Sequence, residues 1–150
     1  MRYAGIIKND ISAGEGVNVS FFTQGCPHKC IGCHNPETWD FDGGKEFTNE
    51  TLVDILQSIN ANGVIRNFSI MGGEPLCQEN LFLTSLVIKA VKENFPNIKI
   101  YLWTGYILED LLKKKDNKIL EILKNIDIII DGPFIQEQRD ITLPMRGSSN

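Results

Sequence analysis

The chain has 150 residues, of which 42% are hydrophobic, and its formal net charge at pH 7 is −4. This length and apolar content predict one domain with a hydrophobic core. The net negative charge gives no positively charged surface of the kind that binds nucleic acid. No apolar run approaches the roughly 18 residues that a membrane span needs. The chain has four cysteines, and its first segment does not resemble a secretory leader. We therefore expect reduced thiols and a cytoplasmic protein.

The first predicted strand covers residues 17–23, where β-branched and aromatic side chains are concentrated. It leads directly into three cysteines, Cys26, Cys30 and Cys33, with the spacing C-x3-C-x2-C. Three thiolates so close together suit a soft metal centre, and they are one short of the four that close a structural zinc or a fully ligated iron–sulfur site. The spacing therefore predicts a [4Fe–4S] cluster with one iron open for chemistry.

Two other uses of these cysteines are weighed against the cluster. A disulfide framework needs an oxidising compartment, which the reduced-thiol prediction disfavours. A structural zinc needs a fourth ligand, which His28, His34 or Cys77 offers. Zinc sites usually combine two separated ligand pairs, however, and here three ligands crowd one loop. Cys77 is interpreted as a buried thiol, since free cysteine is among the most buried residue types.

The rest of the chain alternates predicted helices and strands. In chain order these are a helix with its cap at Thr48 and its end near Gly63, a strand at 67–71, a helix with the apolar stripe 83–91, a strand at 98–103, short helices at 108–114 and 118–125, and a strand at 126–130. The alternation predicts an α/β fold with a mainly parallel sheet. Four core strands are too few for a closed eight-stranded barrel, so we expect an open or partial parallel β/α barrel in a single domain, residues 1–150.

A distinctive segment follows each predicted strand. These segments are the cysteine loop at 26–33, Gly-Gly-Glu-Pro at 72–75, Thr-Gly-Tyr at 104–106 and Asp-Gly at 131–132. The carboxyl ends of parallel strands meet at one edge of a sheet, where ligands of such folds bind. We therefore expect the four segments to form one site.

Individual residues of these segments suggest particular contacts. Gly72 and Gly73 lack a Cβ, so the backbone can approach a ligand closely, and a side chain at Gly73 would crowd that ligand. Glu74 is suited to accept a hydrogen bond from the ammonium group of an amino acid bound at the open iron. The Thr104 hydroxyl either reaches a ribose or caps the next helix. Asp131 is predicted either to face the cleft or to form a turn with the glycine and proline that follow it, and the turn is favoured.

These motifs resemble those of the activating proteins of anaerobic ribonucleoside-triphosphate reductase, which are small radical S-adenosylmethionine enzymes. The resemblance is near full length. Besides the cysteine run and the Gly-Gly-Glu-Pro turn, it includes residues 1–6, 14–17, 23–25, 35–39, 103–106, 131–134 and 146–150.

The resemblance implies two cofactors, one [4Fe–4S] cluster per chain and S-adenosylmethionine, and no catalytic residue beyond them. The implied cluster ligands are Cys26, Cys30 and Cys33. The residues expected to contact S-adenosylmethionine are Gly32, Cys33, His34, Gly72, Gly73 and Glu74, with Thr104 added from its place after a strand.

The implied reaction is hydrogen abstraction by a 5′-deoxyadenosyl radical from the α-carbon of a glycine in the partner reductase, which leaves a stored glycyl radical. The implied partners are the catalytic subunit of anaerobic ribonucleoside-triphosphate reductase and an electron donor such as flavodoxin, with no nucleic acid and no membrane. The alternatives are another small radical enzyme, of the formate-lyase activase type or the 7-carboxy-7-deazaguanine synthase type, or a non-enzymatic zinc-stabilised binding module.

Overall fold

The fold is built around one mixed β-sheet, seen in a computed structural model that describes residues 1–140, 142, 145 and 146. The strands of this described part are β1 (Arg2–Asp10), β2 (Asn18–Thr23), β3 (Lys45–Glu46), β4 (Asn67–Gly72), β5 (Ile100–Trp103) and β6 (Ile128–Ile130). The α-helices are α1 (Asn49–Ile59), α2 (Gln78–Asn94), α3 (Leu108–Lys113) and α4 (Asn117–Lys124).

The strands lie side by side in the order β3-β1-β2-β4-β5-β6. β2, β4, β5 and β6 run parallel to one another, while β1 is antiparallel to both of its neighbours. The sheet is open, which confirms the α/β class, and its curvature into part of a barrel stays a prediction. The four predicted strands are present, although β5 and β6 begin two residues later than the sequence pattern suggests.

Strands β1 and β3 were not predicted from the sequence. β1 carries no clean alternation of buried and exposed side chains, because it lies near the edge of the sheet and its last residue, Asp10, is buried. Its position depends on partners far along the chain. The Arg2 guanidinium, for example, donates hydrogen bonds of 2.6 and 2.7 Å to the carbonyl groups of Gly43 and Gly44.

The core lies on the face of the sheet that the helices cover. Alternate strand residues point to this face and are fully buried, namely Val19, Phe21, Phe68, Ile70, Ile100 and Leu102. They form one apolar cluster with the buried stripes of the helices. Burial of each such side chain contributes about 1.5–3 kcal/mol, so this cluster holds the parallel strands in register.

The helix ends follow local capping chemistry with small shifts from the sequence pattern. α1 begins after Thr48, whose side chain forms a reciprocal capping box with Thr51, as the predicted cap at Thr48 requires. α1 ends at Ile59 rather than near Gly63. The Arg66 guanidinium satisfies this end of the helix, because it donates to the carbonyl group of Ser58 in the last turn and to those of Ala61 and Val64 beyond it.

The opposite face of the sheet bears the residues that alternate with the core. Met71, Trp103 and Ile130, at the carboxyl ends of β4, β5 and β6, point to this side and line a cavity. The Trp103 indole nitrogen donates a 2.5 Å hydrogen bond to the Met145 carbonyl, so the last described residues lie against this face. None of the helices in the described ranges has both the length and the apolar content to cross a membrane.

Candidate metal and cofactor site

A cavity of about 240 Å³ lies at the carboxyl ends of the parallel strands. Its walls include the cysteine loop, residues 72–73, residues 104–105 and residues 131–132, which confirms that the four predicted segments meet at one edge. The predicted cofactor-binding residues in its wall are Cys33, His34, Gly72, Gly73 and Thr104. Gly32 and Glu74 lie outside the wall.

The three cysteines of the loop all line this cavity. Cys26 is buried, Cys30 and Cys33 are half-buried, and all three are free thiols. The Cys33 amide donates to the Cys30 carbonyl at 3.1 Å, and the Asn35 amide donates to the Cys33 sulfur at 3.4 Å. A backbone donor aimed at a ligand sulfur is one of the features that set the potential of an iron–sulfur cluster.

The number and placement of the thiols suit a cluster. Cys26, Cys30 and Cys33 all line one cavity. In a cubane each thiolate binds a different iron, so three thiolates leave the fourth iron open. A structural zinc usually has four protein ligands and would need one more. Three thiols around one cavity therefore match the donor set of a cubane with one open iron.

Burial raises the pKa of the Cys26 thiol, a backbone hydrogen bond from His28 lowers it by less, and the negative charge of Glu74 acts in the same direction as burial. A raised pKa favours the neutral thiol in the metal-free protein. Because a metal ligand must be a thiolate, loading iron at this position releases a proton, and the positive metal ion provides the charge that burial disfavours.

Backbone hydrogen bonds join the start of the cysteine loop to the turn at residues 72–75. The Gly25 carbonyl accepts from the Glu74 amide at 2.8 Å and from the Asn80 side chain at 3.2 Å. The Gly73 amide donates to the Thr23 carbonyl at 2.9 Å. Cys26 therefore sits on a rigid part of the fold, since its chain segment is bonded to the end of β4.

The two glycines of the turn are required by the protein backbone itself. Gly72 has φ +108°, and a Cβ there would lie 2.6 Å from the Thr23 nitrogen. A Cβ on Gly73 would meet the Gly25 carbonyl group, with its carbon at 2.8 Å. This differs from the expectation that a side chain at Gly73 crowds a ligand, because the missing Cβ would point at the cysteine loop.

Gly73→Ala is therefore expected to destabilise the metal-free protein by about 2 kcal/mol, the typical penalty for overpacking. The measurement is the urea unfolding midpoint of the metal-free protein. Gly5→Ala is the matched control, because no atom lies within 4 Å of a Cβ built on Gly5. Equal midpoints for the two variants would show that the contact with Gly25 is easily relieved.

Glu74 lies at the centre of the site, with none of its surface exposed. One carboxylate oxygen accepts from the His28 imidazole and the Gly105 amide, both at 2.7 Å. The other accepts from the Leu76 amide and the Thr104 hydroxyl, both at 2.8 Å. Glu74 thus links the cysteine loop, its own turn and the segment after β5, and its predicted contact with a ligand ammonium stays a prediction.

Thr104 and Asp131 also bond within the protein. The Thr104 hydroxyl donates to Glu74, and its oxygen accepts from the Tyr106 amide at 3.2 Å, so it caps a turn rather than helix α3. Asp131 is exposed at the cavity edge and accepts from the Leu108 amide at 2.8 Å, at the start of α3. Asp131 therefore connects the end of β6 to α3, and it lies in the cavity wall, which was the less favoured of the two predicted uses.

The sequence analysis missed several residues of the cavity wall. These residues are Asn35, Thr38, Trp39, Met71, Phe134 and Arg146. Asn35, Thr38 and Trp39 lie in a segment that contributed to the family resemblance, but no chemical role was inferred for them. The His34 ring is exposed and lies edge-on to Phe134, with 5.1 Å between the ring centres.

Cys77 lies outside the cavity wall, as expected for a buried thiol. It is 2% exposed, and its sulfur donates to the Glu74 carbonyl at 3.2 Å. Burial raises the pKa of Cys77 from 9.0 to about 12, and nearby carboxylates act in the same direction. The folded thiol is therefore neutral at pH 8, well below that pKa.

We expect Cys77 to resist iodoacetamide at pH 8 in the folded, metal-free protein, because the thiolate is the nucleophile and is both scarce and shielded. Cys30 and Cys33, which are half-buried, should be alkylated first. Peptide mass spectrometry with and without denaturant measures both. Modification of Cys77 as fast as Cys33 in the folded protein would contradict the burial argument.

Comparison with known proteins agrees with this chemistry. The family model described as a 4Fe-4S single cluster domain matches residues 12–150, so the site belongs to a single-cluster iron–sulfur domain. The chain is 37% identical to the anaerobic ribonucleoside-triphosphate reductase-activating protein of Pasteurella multocida, over all of this chain and 94% of that protein.

Two further relatives carry the same name. That of Vibrio cholerae is 36% identical over all of this chain and 95% of its own length, and that of Enterobacteria phage T4 is 37% identical over all of this chain and 91% of its own length. The chain belongs to the family of anaerobic ribonucleoside-triphosphate reductase-activating proteins.

Proposed function

We propose that this chain, over residues 1–150, is a radical S-adenosylmethionine enzyme that forms a glycyl radical on anaerobic ribonucleoside-triphosphate reductase. The observation that carries the proposal is the cavity in which three thiols face a glycine-rich backbone edge. The names of the relatives at 32–37% identity support the reductase as the partner.

In this proposal Cys26, Cys30 and Cys33 hold the cluster. The backbone of Gly72 and Gly73, together with the 32–34 segment of the cysteine loop, forms the edge on which S-adenosylmethionine lies. Glu74 and Thr104 support this edge, because their side chains bond to the loops that form it. These residues bind, orient and keep water out, and no side chain is assigned a proton transfer.

When bound, the reduced cluster would supply one electron to S-adenosylmethionine, which would split into methionine and a 5′-deoxyadenosyl radical. That radical would take a hydrogen atom from a reductase glycine, to give 5′-deoxyadenosine and a glycyl radical. The electron comes from a low-potential one-electron donor such as flavodoxin. The protein contributes position, since the glycine α-carbon must touch the 5′ carbon before the radical forms.

The reductase is proposed to close the site as it binds. His34 is exposed in the cavity wall, and Gly32 and Ile31 of the same loop are also exposed, with Ile31 at 79%, which is unusual for a large apolar side chain. A protein partner can cover the exposed opening of this cavity, whereas a small substrate leaves the opening in contact with water. The four free thiols support a reducing location, for which we propose the cytoplasm.

The proposal is tested by mixing the anaerobically reconstituted, reduced protein with S-adenosylmethionine and the reductase. A glycyl radical detected by paramagnetic resonance, and one 5′-deoxyadenosine per radical, are the expected results. Deuterium on the target glycine should appear in 5′-deoxyadenosine.

The control uses a reductase variant in which the target glycine is replaced by alanine, which should give no glycyl radical. A glycyl radical accompanied by deuterium-free 5′-deoxyadenosine would rule out direct abstraction. A colourless protein that binds zinc and never takes up iron would favour the zinc-stabilised module.

A further inference from the structure

His28 occupies the middle of the cysteine loop, two residues from both Cys26 and Cys30. Its imidazole nitrogen lies 2.7 Å from Glu74, and its side chain is 17% exposed. The same carboxylate oxygen also accepts from the Gly105 amide at 2.7 Å, and the imidazole tautomer with its proton on this nitrogen donates the second hydrogen bond.

Much of the loop between His28 and Cys33 is exposed, namely Lys29, Ile31 and Gly32. Lys29 adopts a left-handed conformation with φ +50°, and Ile31 is 79% exposed. Cys26, in contrast, is anchored through the bond from its amide to the Trp39 carbonyl at 3.2 Å. The His28 side chain is therefore well placed to determine where Cys30 and Cys33 lie relative to Cys26.

The ring of His28 also fits its surroundings closely. A Cβ on Gly105 would approach the His28 ring to 2.5 Å, so only glycine leaves room for it there. Tyr106 packs edge-on to the same ring, with 4.6 Å between the ring centres. The imidazole is thus held by its hydrogen bond and by contacts on the segment after β5.

We propose that His28 is a positioning residue that fixes the cysteine loop to the Glu74 turn, so that the three thiols keep a set distance from the Gly72 and Gly73 edge. The inference rests on the proposed function. It deepens that function, because it assigns the geometry between cluster ligands and cofactor edge to one side-chain hydrogen bond. His28 lines the cavity beside the cysteines, and it is assigned no contact with the reacting atoms.

Two substitutions separate the hydrogen bond from the ring packing. His28→Phe keeps a flat ring against Gly105 and Tyr106 but cannot donate, so it leaves a buried carboxylate short of one partner. His28→Gln keeps an N–H donor at about the position of the imidazole nitrogen. If the hydrogen bond positions the loop, the glutamine variant restores what the phenylalanine variant loses.

The first measurement uses the metal-free protein. Amide hydrogen exchange of residues 28–33 should be on the order of tenfold faster in His28→Phe than in the parent, because loss of one hydrogen bond to a buried charged group favours local opening by about that factor. His28→Gln should exchange within about threefold of the parent. Ile31→Ala, an exposed position in the same loop, serves as the control and should exchange like the parent.

The second measurement uses the reconstituted protein. We expect His28→Phe to retain iron but to bind S-adenosylmethionine on the order of tenfold more weakly, with an altered change in the paramagnetic resonance spectrum when the cofactor is added. His28→Gln should restore both. A merely structural histidine would change the unfolding midpoint and leave the spectrum of the folded fraction as in the parent.

The outcomes distinguish this inference from the proposed function. If the parent takes up no iron or does not split S-adenosylmethionine, the proposed function fails. If the parent does both, and His28→Phe matches it in loop exchange, cofactor affinity and spectrum, the positioning role of His28 is overturned. Failure of His28→Gln to restore them would also overturn it, because the ring rather than the hydrogen bond would then be responsible.

Discussion

Replacement of Cys26, Cys30 or Cys33 by alanine is expected to abolish S-adenosylmethionine cleavage, to the level of a protein-free control. Each thiolate binds a different iron in a three-ligand cubane, so losing one leaves two ligands and a second open iron. The measurements are iron and sulfide content after anaerobic reconstitution, about four of each per parent chain, and 5′-deoxyadenosine formation.

Cys77→Ala is the matched control for these three variants, since it removes the remaining thiol of the chain. Cys77 is buried and lies outside the cavity wall, so this variant should keep its cluster and its cleavage activity. A small loss of stability from the lost packing is expected. A Cys77→Ala protein without a cluster, beside a Cys33→Ala protein that retains one, would refute the ligand assignment.

Glu74→Gln is expected to destabilise the metal-free protein by about 3 kcal/mol, although the two side chains have nearly the same shape. Each carboxylate oxygen accepts two hydrogen bonds from the protein. The amide nitrogen of glutamine replaces one oxygen, so in either orientation it faces two donors. One of these donors is a backbone amide, of Gly105 or Leu76, which cannot turn away.

Urea unfolding followed by circular dichroism measures this change, and amide exchange of the cysteine loop should rise with it. Glu121→Gln makes the same chemical change on an exposed face of α4 and should shift the free energy of unfolding by less than about 0.5 kcal/mol. If Glu74→Gln is as mild as Glu121→Gln, the Glu74 carboxylate does not hold the loops together.

The main features of the fold followed from local patterns. The capped helix after Thr48, the four parallel strands and the meeting of their following segments at one edge were all predicted and confirmed. Such predictions succeed because helix caps and β-branched runs act over a few residues, and because parallel strands with helical crossovers leave few topologies. β1 was not predicted, because its pairing with β2, and not a pattern in its own sequence, identifies it as a strand.

The sequence by itself indicated the candidate metal ligands and the chemistry that they suggest, because three thiols crowded into one loop are a local property. The tertiary structure decided which groups remain available to a ligand. Glu74 is predicted from its motif to face a cofactor, yet its oxygens accept from His28, Thr104 and Gly105, which lie 30 to 46 residues away. A buried carboxylate must be satisfied by whatever donors the fold brings to it. Because these donors come from the segments after two other strands, β2 and β5, no local pattern could show this use of Glu74.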